Sequence, residues 1–206
     1  MQAPYTSILL FGPPGVGKGT QGAMLSSIPG FYHLGTGDIF RALDRDSELG
    51  QAFLKYSTKG LLVPDELTIE VWHNHVAKMI KCKAYDPKRD VLLLDGIPRS
   101  KPQALAMDQY LDLLGVVHLV CKDIDEMVRR LRHRAEVQNR PDDADDKVIR
   151  RRFAVYKDET SPVLAHYHKD LIFNIDAIGS PAAVLLKILE FVVPATESRL
   201  GNPLSQ

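Results

Sequence analysis

With 206 residues, 45% of them apolar and 25% charged, the chain has the composition of a globular protein that buries a sizeable core, which excludes wholesale disorder and fits one large α/β unit. Lysine plus arginine and aspartate plus glutamate balance at 26 each. That balance argues against a domain built around a nucleic-acid backbone or an anionic membrane, so any cationic site must be local.

The start, MQAPYTSILLF, has no basic region and too short an apolar run for a signal peptide, and no segment approaches the ~18 apolar residues of a membrane helix. Short apolar runs then mark strands at 7–11 (SILLF), weakly at 31–35 (FYHLG), and at 91–95 (VLLLD), 116–121 (VVHLVC) and 170–176 (DLIFNID). Continuous rather than alternating runs suit strands covered on both faces. Helical spacing predicts helices over 17–27, 37–43, 48–57, 65–81, 101–113, 124–134, 147–168 and 180–192, with Asp65 opening one and Ser180-Pro181 another. The alternation predicts a parallel sheet with crossover helices. The polar stretch 134–146, RAEVQNRPDDADD, reads as a surface excursion and the tail from 194 as frayed. Cys82 and Cys121 stand alone without C-x-x-C spacing, so they suggest neither a disulfide framework nor a zinc site, and a reducing cytoplasm fits.

Gly12, Gly15 and Gly17 separate the first strand from a helix beginning near Lys18. Bare backbone there can turn N–H groups toward an anion, and the helix N-terminus adds its positive dipole end. The spacing G-x-x-x-x-G-K matches a P-loop, in which the lysine reaches the β- and γ-phosphates. A glycine-rich turn without a ligand is the poorer reading, because the strand-turn-helix context is met. The generic motif continues with serine or threonine to hold Mg²⁺; here Gly19 follows and Thr20 comes next, which weakens a generic nucleoside triphosphatase.

Read through as G-x-P-G-x-G-K-G-T, Gly12 to Thr20 resembles the loop of the adenylate kinase family of nucleoside monophosphate kinases. Further blocks resemble that family in its own order: LGTGDIFR (34–41), GLLVPDE (60–66), LLLDGIPRSKPQA (92–104, with Ile97 at the usual phenylalanine) and the arginine-rich stretch 129–152. The likeness covers about residues 7 to 180. It implies a P-loop three-layer sandwich around a central five-stranded parallel sheet, with a core of 1–35, 66–133 and 147–206. A helical monophosphate-binding insert would span 36–65 and a short lid 134–146, without the long insert and cysteine quartet of zinc-bearing relatives. The implied reaction is reversible transfer of the terminal phosphoryl group of ATP to AMP, giving two ADP, by a soluble cytoplasmic monomer that uses Mg²⁺ and no zinc.

The resemblance also implies roles. ATP would lie on Gly12, Gly15, Val16, Gly17, Lys18, Gly19 and Thr20, with Arg130 stacking on its adenine, Arg134 on its phosphates and Gly179 in the turn near the base. AMP would lie by Thr36, the backbone near Leu61 and Val63, Gly96 and Gln103, with its phosphate met by Arg41, Arg99, Arg140 and Arg152. Lys18, Arg99, Arg134, Arg140 and Arg152 are the implied catalytic cations, and Asp95 would orient Mg²⁺ through water. Counting forward from Arg140 points to Arg151, whereas counting back from Tyr156 points to Arg152, which is preferred. Asp142 and Asp143 match an acid pair expected to hold the arginines when the site is empty. Arg129, Arg132 and Arg150 read as a solvated helix face.

A UMP/CMP kinase of the same family is the nearest alternative; Thr36 and Gln103 favour adenine, since pyrimidine-specific relatives typically carry alanine and asparagine there. A P-loop switch is more remote. Asp112 to Gly115 spells D-x-x-G but ends a predicted helix rather than a strand, and no N-K-x-D occurs. His73 and His75, like His166 and His168, are two apart on predicted helices and so point to different faces, unlike metal ligands at i and i+4. Trp72 and Phe53 read as core residues rather than a base-stacking platform.

Overall fold

A computed structural model describes residues 5–138, 140, 143–197 and 200. Five parallel strands form one sheet in the order β2-β3-β1-β4-β5: β1 (Tyr5–Phe11), β2 (Phe31–Gly35), β3 (Val91–Asp95), β4 (Leu111–Val120) and β5 (Ile172–Asp176). Among the described residues eight α-helices connect and cover them: α1 (Lys18–Leu25), α2 (Thr36–Arg41), α3 (Glu48–Ser57), α4 (Asp65–Lys81), α5 (Lys101–Met107), α6 (Ile124–Gln138), α7 (Asp146–Val155) and α8 (Pro181–Thr196).

Alternate strand residues serve two cores, which is why the runs are continuously apolar. Leu9, Phe11, Leu92 and Leu94 face one layer with Trp72 and Tyr85. Ile8, Leu10, Leu93 and Leu119 face the other with Leu25 and Ile188. Each fully buried leucine or isoleucine contributes about 1.5–3 kcal/mol relative to exposure, so the sheet is a rigid floor. The parallel direction places the loops after β1, β2, β3 and β4 along one edge, where an open α/β sheet presents its ligands.

Several predicted elements are redrawn. Helix 101–113 ends at Met107, and β4 begins at Leu111 because Leu111 and Leu113 pair with Tyr5 and Ser7 of β1. The Tyr5 amide also donates to the Tyr110 carbonyl at 2.6 Å. Asp112-to-Gly115 therefore lies inside a strand and not at a helix end. Asp112 sits beside Thr6, at the sheet edge opposite the glycine-rich loop, so it has no access to a phosphate held there. The expected helix 147–168 is broken: α7 gives way to a π-helical turn at Tyr156–Thr160 and a 3₁₀ segment at Ser161–His166, since Pro162 has no amide for an interior α-helical bond.

At the excursion, α6 continues through Arg134 to Gln138. At the tail, α8 reaches Thr196 because Val184, Ile188 and Val192 keep one face buried at four-residue spacing, and Pro194 is accommodated. Residues 198, 199 and 201–206 of that tail lie outside the described residues. No helix among the described residues is long and apolar enough to cross a membrane.

Candidate active site

β1 runs directly into the glycine-rich loop. Gly12 (φ 142°) and Gly17 (φ 105°) hold backbone conformations that side chains rarely adopt, and Gly17 caps α1 without any side-chain hydrogen bond. The Gln21 amide bonds the Gly17 carbonyl at 3.0 Å, whereas the amides of Lys18, Gly19 and Thr20 belong to the first turn, which has no intrahelical acceptors. Val16 is 2% exposed, so it pins the loop to the core while the backbone around it faces the cleft. Lys18 Nζ folds back on the Gly12 and Pro13 carbonyls at 2.8 and 3.1 Å. Burial pulls its pKa down to about 8, against the favourable charge of Asp95.

Two cavities adjoin this loop. The first is lined by Thr36, Phe40, Phe53, Leu61, Val63, Gly96, Gln103 and Tyr156, among others. The second is lined by Gly15 to Thr20, Asp95, Arg130, Arg134, Arg140, Ala177 and Gly179, among others. Lys18, Arg41, Arg99 and Arg152 line both. A wall of four cations between two compartments is an arrangement for phosphate groups meeting end to end, since guanidinium forks match phosphate oxygens.

Carboxylates hold several of the cleft cations. Asp143, fully buried, accepts from Arg134 Nε at 2.7 Å and from Arg152 Nη1. Asp38 pairs with Arg41 at 2.6 Å and Arg140 at 3.2 Å. Partial desolvation in the cleft pushes the Asp38 carboxyl up, but the Arg41 hydrogen bond and the charges of Arg41 and Arg140 prevail and hold it below the usual carboxylate range. Glu126 orients Arg130 at 2.9 Å, and Arg130 also reaches the Ala177 carbonyl at 3.4 Å.

The family model described as adenylate kinase matches residues 10–172. An adenylate kinase of Rhodococcus erythropolis is 42% identical over 189 residues, covering 88% of this chain and 96% of its own. One from Thermobifida fusca is 40% identical over 178 residues, covering 84% and 90%, and one from Thermus thermophilus is 36% identical over 189 residues, covering 88% and 94%. The chain belongs to the adenylate kinase family. A pyrimidine monophosphate kinase gains no support from these matches.

Against the adenylate kinase pattern, the implied ATP residues Gly15, Val16, Gly17, Lys18, Gly19, Thr20, Arg130, Arg134 and Gly179 line the second cavity together, and Gly12 lines the first. Thr36, Arg41, Leu61, Val63, Gly96, Arg99, Gln103 and Arg152 line the first cavity. Arg140 does not line it; it opens on the second cavity and reaches across to Asp38. Arg152 sits at the shared wall, whereas Arg151 is exposed to solvent. Asp143 takes the anchoring place expected of the acid pair, and Asp142 lies outside the described residues. Arg129 and Arg132 pair with Glu126 and Asp146 on exposed helix surface.

Trp72 is fully buried, but Phe53 stacks on Phe40 with ring centres 5.2 Å apart and both line the first cavity. Its part-exposed face therefore does more than fill the core. Sequence reading gave no role to Asp38, Tyr156 or the carboxylate of Asp65. Tyr156, whose phenol burial pushes up to about 12, bonds His118 Nε2 at 3.2 Å, a contact between the π-helical turn and β4 made by residues that share no motif.

Proposed function

We propose that this chain transfers the terminal phosphoryl group of ATP to AMP, giving two ADP, with ATP in the second cavity and AMP in the first. The observation that carries this reading is the wall of Lys18, Arg41, Arg99 and Arg152 shared by both cavities. In such transfer the protein positions the substrates and neutralises charge. The nucleophile is a phosphate oxygen of the monophosphate, mostly ionised at pH 7 because its second pKa lies near ~6, so no general base is required. The loop amides and Lys18 hold the triphosphate, Arg134 and Arg152 meet the group in transfer, and Arg41 and Arg99 hold the acceptor phosphate.

Mg²⁺ fits this site. Among the described residues no cluster of three or more acidic, histidine or cysteine ligands exists, but the Asp95 carboxylate lies against Gly19, and Mg²⁺ keeps several waters and binds through one or two carboxylates plus substrate phosphates. When bound, the ion neutralises charge on the phosphate oxygens. Segments 36–65 and 134–146 close over both substrates to exclude water, which strengthens the cationic contacts and prevents loss of the phosphoryl group by hydrolysis. The bridge from Arg140 to Asp38 already joins them. We propose a soluble cytoplasmic monomer; the balanced charge speaks against a polyanionic partner and so fits action on free nucleotides.

The test is diphosphate formation from ATP and Mg²⁺ with AMP, CMP, UMP or GMP offered separately, beside a control without acceptor. Fast turnover with AMP supports the proposal. Preference for a pyrimidine monophosphate overturns the base assignment, and hydrolysis without acceptor overturns the transfer reaction.

A further inference from the structure

Gln103 is 1% exposed, yet it lines the cavity proposed for the acceptor base. Both ends of its amide are fixed before any ligand arrives. Its Oε1 accepts from the Arg99 main-chain N–H at 2.7 Å, and its Nε2 donates to Asp65 Oδ1, also at 2.7 Å. A backbone N–H can only donate and a carboxylate can only accept. Turning the amide over would set an oxygen against the carboxylate and an NH₂ against the N–H, replacing two attractions with two repulsions. The same Asp65 oxygen takes a 2.8 Å bond from Ser100 Oγ, and Ser100 caps α5 by accepting from the Gln103 amide. Asp65 is thus tied to the turn that carries Gln103.

What remains of the Gln103 amide is one N–H and one oxygen lone pair in fixed order. A glutamine amide has one donor end and one acceptor end and so can pair bidentately with the Watson–Crick edge of adenine: its N–H meets the N1 acceptor and its oxygen meets the 6-amino group. Hypoxanthine and guanine present the reverse, an N1–H donor and an O6 acceptor, and uracil is reversed in the same way. Cytosine carries the adenine pattern, so this device separates amino bases from oxo bases and leaves ring size to the cavity walls.

We infer that Asp65 is a positioning residue that locks the Gln103 amide in the sense that accepts a 6-aminopurine monophosphate and rejects its 6-oxo counterpart. The inference rests on the proposal that AMP is the acceptor. Asp65 acts through Gln103, and it lies outside the lining of both cavities.

The experiment compares kcat/KM for AMP and inosine monophosphate, which differ in the donor and acceptor order of that edge, in the wild-type chain and in Asp65→Asn. An asparagine can present either a donor or an acceptor, so the lock relaxes and the AMP-to-IMP ratio falls at least about tenfold, the scale of one hydrogen bond to a charged group. Ser100→Ala, which weakens the α5 cap but leaves the bond between Asp65 and Gln103, lowers the melting temperature while the ratio stays. Asp65→Asn with a wild-type ratio overturns the lock. An equal fall in the ratio for Ser100→Ala also overturns it, since general loosening then suffices. A wild-type chain that does not phosphorylate AMP instead overturns the underlying assignment of the acceptor.

Discussion

Replacing Gly17 by alanine separates the phosphate-cradle role of the loop from its structural role. A Cβ built at Gly17 meets nothing within 4 Å, so the packing cost is nil and what remains is the backbone at φ 105°. A side chain in so sparsely populated a conformation costs about 1–3 kcal/mol. For a chain of this size that lowers the melting temperature by about 2–4 °C per kcal/mol, hence by about 2–12 °C. Gly12→Ala is the contrast: its Cβ would run into the Leu119 carbonyl oxygen, a main-chain atom of β4 that the sheet holds in place, so the clash adds to the strain and the shift is larger. Gly17→Ala, although folded, carries a methyl into the cleft and re-aims the loop amides. Displacement of a reacting group by about 1 Å can cost 100-fold, and ATP:AMP turnover falls by about that factor. Circular dichroism melts and a coupled ADP assay measure the two effects. A folded Gly17→Ala with near-wild-type turnover would refute the cradle; one that unfolds as readily as Gly12→Ala would refute the packing argument.

Arg134→Ala lowers turnover by orders of magnitude with the fold intact, because Asp143 keeps Arg152 as its partner; steady-state kinetics beside a melt tests this, and near-native turnover removes Arg134 from the reaction. Asp143→Asn loses the charge in hydrogen bonds from two arginines. Hydrogen bonds to charged groups contribute about 1.5–3 kcal/mol each, but Arg134 and Arg152 retain 30% and 21% exposure and can rehydrate, so the loss is nearer about 1–3 kcal/mol in denaturant unfolding; no change in stability refutes the anchor. Lys18 sets a pH dependence of opposite sign for binding and stability. Its folded pKa of about 8 lies below the ordinary 10.5, so between these values the unfolded chain binds the extra proton, and the contribution of Lys18 to the stability of the ligand-free chain rises with pH. Over the same window the site loses its cation and KM for ATP increases. Lys18→Met, followed by unfolding and ATP titration from pH 7 to 10, abolishes both trends; a trend that survives the substitution belongs to another group.

The readings that held were carried by local chemistry. Buried runs specified the strands of the sheet, and the order of glycines before Lys18 specified a loop whose context could be read within a dozen residues. Asp65 opens α4 as its position suggested. The errors came where a tertiary partner decides. The stretch 111–113 alternates apolar and polar residues, which admits a strand, but its pairing with Tyr5 to Ser7 across a hundred residues cannot be seen from 101–113 alone. The end of α8 depends on a buried face that outweighs Pro194. In the site, residue types that bind phosphate are legible because few side chains do that work; the carboxylates that orient them are not, since an exposed aspartate and a buried anchor have the same letter. Of the two arginines between which the spacing leaves a choice, Arg152 reaches the carboxylate of Asp143 and Arg151 is exposed.

Those two carboxylates differ in a way that bears on binding. Arg41 and Arg140 rest on Asp38, whose side chain is 62% exposed, whereas Arg134 and Arg152 rest on Asp143, whose side chain is 0% exposed. Exposed ion pairs contribute about 0–1 kcal/mol, so phosphate can take Arg41 and Arg140 from Asp38 at little cost. A buried carboxylate stripped of its partners would be strongly unfavourable. In the proposed reaction Arg134 and Arg152 therefore stay on Asp143 while they meet phosphate, which a guanidinium with five N–H donors in all permits. In the proposed reaction Asp38 is a placeholder for phosphate and Asp143 a permanent anchor. The two carboxylates offset part of the charge of these four arginines and leave the empty cleft net cationic, so a chain with 26 acidic and 26 basic residues concentrates positive charge where the two phosphates of the proposed reaction meet.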